Sequence, residues 1–269
     1  MQQRHTDRLR YFMEQAGTAR EFYLDYLRPY ITLGKGTRIL EIGCGEGGNL
    51  LPFAESDCLV TGIDLDANRI AQAQAFFSQA GMNGTFFCLN FLQAKAPLMN
   101  DIHYDIILIH DVIEHILPEQ KHDFMVRAAR FLRPEGIIFI GFPAWQNPFG
   151  GHQQISIGWV SKLPFIHLLP CSIYRRLLHI SGTSSETISE LMLIRKSRMT
   201  IENFERLTKE TDFTIKKRTL WLINPHYKQK FHLRPLQLWQ PFARLPYIRN
   251  FYTTSAFYLL SQKFSGSPR

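Results

Sequence analysis

An apolar strand that empties into a run of closely spaced glycines leaves a chain few folds to choose from. Here it is residues 39–49, ILEIGCGEGGN. Glycines delivered to a tight turn let backbone approach a ligand more closely than side chains permit. A helix beginning near Gly48 would add the unpaired N–H groups of its first turn. A second apolar strand follows at 59–63 and ends in Asp64, a carboxylate placed to accept both hydroxyls of a ribose. The pattern predicts a nucleoside-containing cofactor.

Further along, strands and helices alternate. The pattern predicts strands at 38–42, 59–63, 85–89, 106–109 and 136–142. Helices are expected between them at 49–55, 67–80 (with Gly81 as its stop) and 119–132. Such alternation implies α/β architecture, a parallel sheet with right-handed crossovers, and a ligand at the carboxyl ends of the strands. Residues from Thr6 to Ile31 read as one or two amphipathic helices. Any of Tyr11, Tyr23 and Tyr26 could meet a ligand, but core packing is the simpler expectation. Residues 143–198 are too long for an ordinary connection and predict a lid or helical cap. Thr200 reads as the N-cap of a helix to Thr211, followed by the strand-like FTIKKRTLWLI. A second insertion, 224–250, carries four prolines, and a last strand is expected at 254–262.

The glycines admit two readings. As Gly43-x-Gly45-x-x-Gly48 they satisfy the dinucleotide fingerprint, which would make the chain an NAD-dependent oxidoreductase. As Glu41-x-Gly43-x-Gly45-x-Gly47 they resemble motif I of the class I S-adenosylmethionine-dependent methyltransferases. Glu41 separates the two, since a pyrophosphate would be repelled by a carboxylate at that place. The fourth strand, YDIILIH, followed by DVIEHI, and the approach LRPEGIIFI to the fifth are also similar to that family. Its nearest likeness is to ubiquinone-biosynthesis-type O-methyltransferases. The resemblance implies a Rossmann-like, seven-stranded, mostly parallel sheet in the order 3-2-1-4-5-7-6, with helices on both faces and a helical cap after strand five. It divides the chain into a helical cover (1–33), a cofactor-binding core (34–143), a cap (144–199) and a carboxyl-terminal part of the core (200–269).

The same resemblance assigns residues. Glu41 would face the methionine ammonium, Gly43, Cys44 and Gly45 the cofactor loop, Asp64 the ribose, and Leu65 the adenine. Asn90 and Phe91 stand where the family has an acid and a ring-contacting residue. The departure at Asn90 leaves its carbonyl able to accept from the adenine amine. His110 would touch the methionyl part. Asp111, Glu114 and His115 are expected on one helix face and resemble the E-x-x-E-H segment that ligates a divalent metal in some relatives. With Asp111 shorter than the usual Glu, we expect no metal; those three residues, joined by His152, are the candidates for one. His152 is the expected base, an imidazole near seven for deprotonating a phenol, with His115 beside it. Trp145, Phe149 and Trp159 form either an aromatic wall or the core of the cap; Trp221 and Trp239 read as structural. The implied reaction is methyl transfer from S-adenosylmethionine to a small aromatic or lipid-like acceptor, leaving S-adenosylhomocysteine.

Composition bounds the partners. Four cysteines stand far apart with no C-x-x-C pair, which suits reduced thiols. The opening residues lack an apolar signal core, and no apolar run approaches the ~18 residues of a membrane span; a cytoplasmic protein is expected. The net charge of +8 is concentrated, since neither 136–185 nor 213–269 contains an Asp or Glu. That asymmetry suits an anionic partner: a phosphate-bearing substrate, RNA or an acidic membrane surface. The basic residues match no RNA-binding module, so an RNA methyltransferase ranks second to a small-molecule enzyme.

Overall fold

The computed structural model describes residues 7–94 and 103–263. The expected helix start at Thr6 and the reading of the first six residues lie outside the described residues.

The described residues open with α1 (Arg8–Thr18), a π-helical turn (Ala19–Tyr23) and α2 (Leu24–Leu27). Then follow β1 (Arg38–Ile42), α3 (Leu51–Glu55), β2 (Leu59–Asp64), α4 (Ala67–Gln79), β3 (Thr85–Cys88), β4 (Tyr104–His110), α5 (Lys121–Phe131) and β5 (Leu132–Phe142). After β5 come three short 3₁₀ turns, α6 (Cys171–Ile180) and α7 (Ser185–Ser197). The chain then continues through α8 (Ile201–Glu210), β6 (Phe213–Ile223), α9 (His226–Phe231), β7 (Leu236–Gln237), α10 (Gln240–Ala243), α11 (Arg249–Tyr252) and β8 (Ser255–Gln262).

The strands form one sheet in the order β3-β2-β1-β4-β5-β8-β6-β7. β1 to β5 run parallel, and β8 lies antiparallel between β5 and β6. The seven expected strands thus occur in the expected order, with an eighth added. β7 pairs with Trp221 and Ile223 of β6. Two residues carry no alternation a sequence pattern could show, yet they cover part of an edge that would otherwise expose its backbone. β5 also starts earlier than expected. Tyr104 pairs with Leu132 and Ile106 with Ile137, so residues 133–136 bulge out, with Arg133 paired to Asp105.

Central strands are apolar on both faces because helices cover both. One core packs α5 and α8 against Leu40, Ile107, Ile138 and Tyr258. The other packs α1 and α4 against Ile39, Ile106, Phe139 and Phe257. Residues of the cap form a small core of their own around Val160, Tyr174, Leu178 and Leu191. Local signals agree with the elements. Asp66 accepts from the Asn68 and Arg69 N–H groups at the start of α4, and Gly81 ends it at a φ of 67°. Thr200 caps α8 through the Asn203 N–H, as expected.

Candidate active site

At the carboxyl end of β1 the glycine turn is tied to the neighbouring strand. The Gly43 and Cys44 N–H groups both donate to the Ile63 carbonyl, at 2.7 and 2.9 Å. Gly43, Gly45 and Gly47 all have left-handed φ, at 74°, 53° and 79°, which side chains resist. A Cβ at Gly43 would strike Val112, whereas one at Gly45 would meet nothing within 4 Å. Asp64 reaches back from β2: its Oδ2 accepts from the Gly45 N–H at 2.8 Å and its Oδ1 from the Asp66 N–H at 2.9 Å. Arg8 of α1 pairs with buried Glu46, fastening the amino-terminal helix to this turn.

Glu41 lies beneath the turn and is buried. Asn49 Nδ2 donates to its Oε1 at 2.7 Å, while Oε2 is buried with no partner. Desolvation pushes its carboxyl up to about 8. A half-satisfied buried carboxylate is a place for a cation to settle.

Beside the turn is a cavity of about 320 Å³ lined by Gly43, Asp64, Leu65, Asn90, Phe91 and His115, among others. Leu65 stands 71% exposed at its rim, and Phe91 is held by Phe124 and Phe131. Asn90 Oδ1 accepts from the Leu92 N–H at 3.0 Å, using one lone pair and leaving another. Glu41, Cys44, Gly45 and His110 do not line this cavity. The Cys44 side chain is buried against Gly62. His110 is packed among Tyr23, Phe139 and Phe257, with ring centroids 5.3, 6.5 and 5.9 Å away.

The segment after β4 corrects an expectation. Residues 111–117 form a turn, and α5 begins only at Lys121. Asp111 has a left-handed φ of 53°, and Pro118 keeps Leu117 extended; neither permits a helix there. Asp111 consequently swings away, its side chain 49% exposed and 3.5 Å from His110 Nδ1. Glu114, His115 and His152 converge instead, each offering a ligand atom within 4.8 Å of the others. The His115 and His152 rings meet at 78° with centroids 5.0 Å apart, and His152 Nε2 is 3.9 Å from Glu114 Oε1. Both Glu114 oxygens are buried without a hydrogen-bond partner.

The electrostatics differ from the expected imidazole near seven. Burial, aided by His115 and His167, pushes His152 down to about 3. Burial also lowers His115. Burial first and Asp111 second raise Glu114 well above the carboxylate range. His152 is therefore a neutral ring at physiological pH. Two contributors have no sequence signal comparable to the glycines. Lys121, pushed down to about 8 by burial against the pull of Glu114, anchors its Nζ on the Ser197 carbonyl and hydroxyl at 3.0 and 2.7 Å. Asn49, eight residues after Glu41, closes the motif that the glycines open.

The aromatic residues divide. Trp145 is buried against His167, 4.7 Å away, whereas Trp159 is 49% exposed and forms no wall with it. Trp221 is buried, but Trp239, expected to be structural, is 69% exposed. Tyr26 is a core residue that donates to Thr219 and Phe257.

Residues 39–136 match the family described as a methyltransferase domain. Over that stretch the chain is similar to methyltransferases. It is 32% identical over 104 residues to the ubiquinone biosynthesis O-methyltransferase of Rickettsia prowazekii, covering 38% of each chain. It is 31% identical over 116 residues to that of Azorhizobium caulinodans, covering 42% of each. The matched region thus spans well under half the length of these curated relatives. Among solved structures, magnesium protoporphyrin IX methyltransferase from Synechocystis PCC 6803 superposes with a TM-score of 0.56 over 93% of this chain and 84% of the other, at 12% identity. A methyltransferase from Clostridium acetobutylicum gives 0.57 over 91% of both, at 9% identity; these likenesses speak to the fold.

Proposed function

We propose that this chain transfers a methyl group from S-adenosylmethionine to a hydroxyl oxygen of a small aromatic or lipid-like acceptor. The observation that carries the reading is the double membership of His115. It lines the cavity beside the glycine turn and also belongs to the cluster with Glu114 and His152. A cofactor pocket and a proton-handling cluster therefore share a wall.

The residues present fit the cofactor. Glu41 has a buried oxygen in need of a cation, which an ammonium group supplies. Asp64 retains lone pairs for ribose hydroxyls, while Leu65 and Phe91 offer apolar surface to a purine. The open face of Gly45 leaves room for close approach. When bound, S-adenosylmethionine contributes a methyl group already activated by positive charge. The protein's task is then alignment, exclusion of water and removal of a proton from the acceptor. A pyrophosphate beside buried Glu41 would meet repulsion, which disfavours a dinucleotide.

Neutral His152 can accept the hydroxyl proton, but at about 3 it is a weak base on its own. Glu114, His115 and His152 also fit a divalent cation: an unsatisfied carboxylate and two neutral imidazoles are a suitable donor set. Such an ion, when bound, would supply Lewis acidity that acidifies a coordinated hydroxyl. The names of the curated relatives, ubiquinone biosynthesis O-methyltransferases, support oxygen as the accepting atom.

The test is methyl transfer from labelled S-adenosylmethionine to a panel of phenols, catechols and hydroxylated quinones, with and without added Mg²⁺ or Mn²⁺. Label is expected on oxygen of at least one class. An inert panel alongside labelled RNA would overturn the reading.

A further inference from the structure

Residues 231–252 are held firmly yet display an unusual surface. The Leu238 N–H donates to the Leu220 carbonyl at 2.8 Å, and Leu238 and Ala243 enter the main core. Arg249 pairs with Glu202 and Glu205 at 2.9 and 3.1 Å, and Asn250 Nδ2 donates to Glu202 at 2.6 Å. From these anchors the segment presents large apolar side chains to solvent. Trp239 is 69% exposed, Tyr247 67% and Leu236 52%. The Trp239 ring lies 5.9 Å from Phe242, which lies 5.7 Å from Tyr252. A contiguous exposed patch of this kind marks an interaction site.

The charge around it is one-sided. The sequence has no acid after Asp212, and nearby Glu21, Glu202 and Glu205 are each engaged by Lys228, Arg249 or Arg218. Arg234 and Arg244 have no carboxylate partner among the described residues. Directly before β7, a groove of about 440 Å³ is lined by Phe22, Trp221, Lys228, His232, Arg234 and Pro235. Exposed rings and aliphatic side chains interleaved with arginine suit the interfacial layer of an anionic bilayer. RNA is the other polyanion to weigh. Its bases gain from stacking on rings but nothing from the exposed Leu233, Leu236, Leu245 and Ile248, which a lipid surface accepts. Among the described residues no helix is long and apolar enough to cross a membrane, so contact at the surface is the relevant mode.

We propose that the second insertion and the adjoining α11 dock the protein on anionic lipid bilayers, with Trp239, Phe242 and Tyr252 in the interfacial layer and Arg234 and Arg244 serving the headgroup phosphates. The inference rests on neither the cofactor nor the acceptor. Its test is flotation of the full chain with vesicles of phosphatidylcholine alone and with vesicles also containing phosphatidylglycerol, at low and high salt. Binding is expected only to the second kind and weaker at high salt. Arg234→Gln is expected to weaken it about fivefold, and the pair Trp239→Ser, Phe242→Ser more strongly. Both sites are exposed, and an unchanged thermal transition checks that the variants fold. Trp239 emission should shift to the blue on anionic vesicles, a change absent from Trp239→Phe. Flotation independent of lipid charge, no flotation at all, or undiminished flotation of the double variant overturns the proposal. So does binding to polyuridine RNA in place of vesicles.

Discussion

His115 and His152 meet edge to face, their ring centroids 5.0 Å apart, although one follows β4 and the other lies ten residues beyond β5. The meeting is a consequence of parallel strands. β4 and β5 are neighbours in register, with His110 opposite Gly141, so the loops leaving their carboxyl ends start side by side. Glu114 completes the cluster from the same turn as His115.

Removing His152 tests the cluster's part in proton handling. His152→Ala is expected to lower kcat by about 10²–10³-fold, within the span of general base contributions. KM for S-adenosylmethionine should change little, because His152 does not line the cofactor cavity. Steady-state kinetics on an accepted phenol checks both halves.

Divalent cation binding has a readout separate from activity. Glu114 is buried with unpartnered oxygens, so a cation held there should raise the melting temperature of the protein. Adding Mn²⁺ is expected to stabilise the wild type and leave Glu114→Gln unmoved, since the amide keeps the shape and loses the charge. Equal shifts in both proteins would remove the ion from the cluster.

Two glycines separated by Cys44 should respond to different degrees. Gly43→Ala combines left-handed backbone with a collision against Val112 and is expected to destabilise the fold by about 1–3 kcal/mol. Gly45→Ala points into open space, so it should cost less stability while weakening cofactor binding. Urea unfolding and S-adenosylhomocysteine titration separate the two effects.

Glu41 gives the unliganded protein a defined pH dependence. Its carboxyl moves from the ordinary 4.5 to about 8 on burial, so folding takes up a proton in that interval. Its contribution to stability is complete below 4.5 and is lost as pH rises through 8. An ammonium group bound at Glu41 requires the carboxylate, so cofactor binding should release a proton below pH 8 and tighten as pH approaches it. Calorimetry in buffers of different ionisation enthalpy measures that proton, and Glu41→Gln should abolish it.

The parts of this molecule legible in its sequence are those governed by short-range pattern. The glycines after β1, the apolar runs of β2 and β4, the Asp66 and Thr200 caps and FTIKKRTLWLI all appear where local chemistry puts them. What escaped has two sources. The turn at 111–117 reads as helix by spacing, and local backbone at Asp111 and Pro118 decides otherwise; the rest depends on distant neighbours. The low proton affinity of His152 comes from burial beside His115 and His167, residues that sequence offsets do not connect. Trp239 looks like a core residue by type and is exposed in the short link between β7 and α10.

The most direct measurement is calorimetric titration of the purified protein with S-adenosylhomocysteine, alongside Asp64→Ala. Saturable one-to-one binding by the wild type, weakened about tenfold or more in the variant through loss of charge-assisted hydrogen bonds, is the expected result. No heat with this ligand or with S-adenosylmethionine, together with tight uptake of NADH, would contradict it.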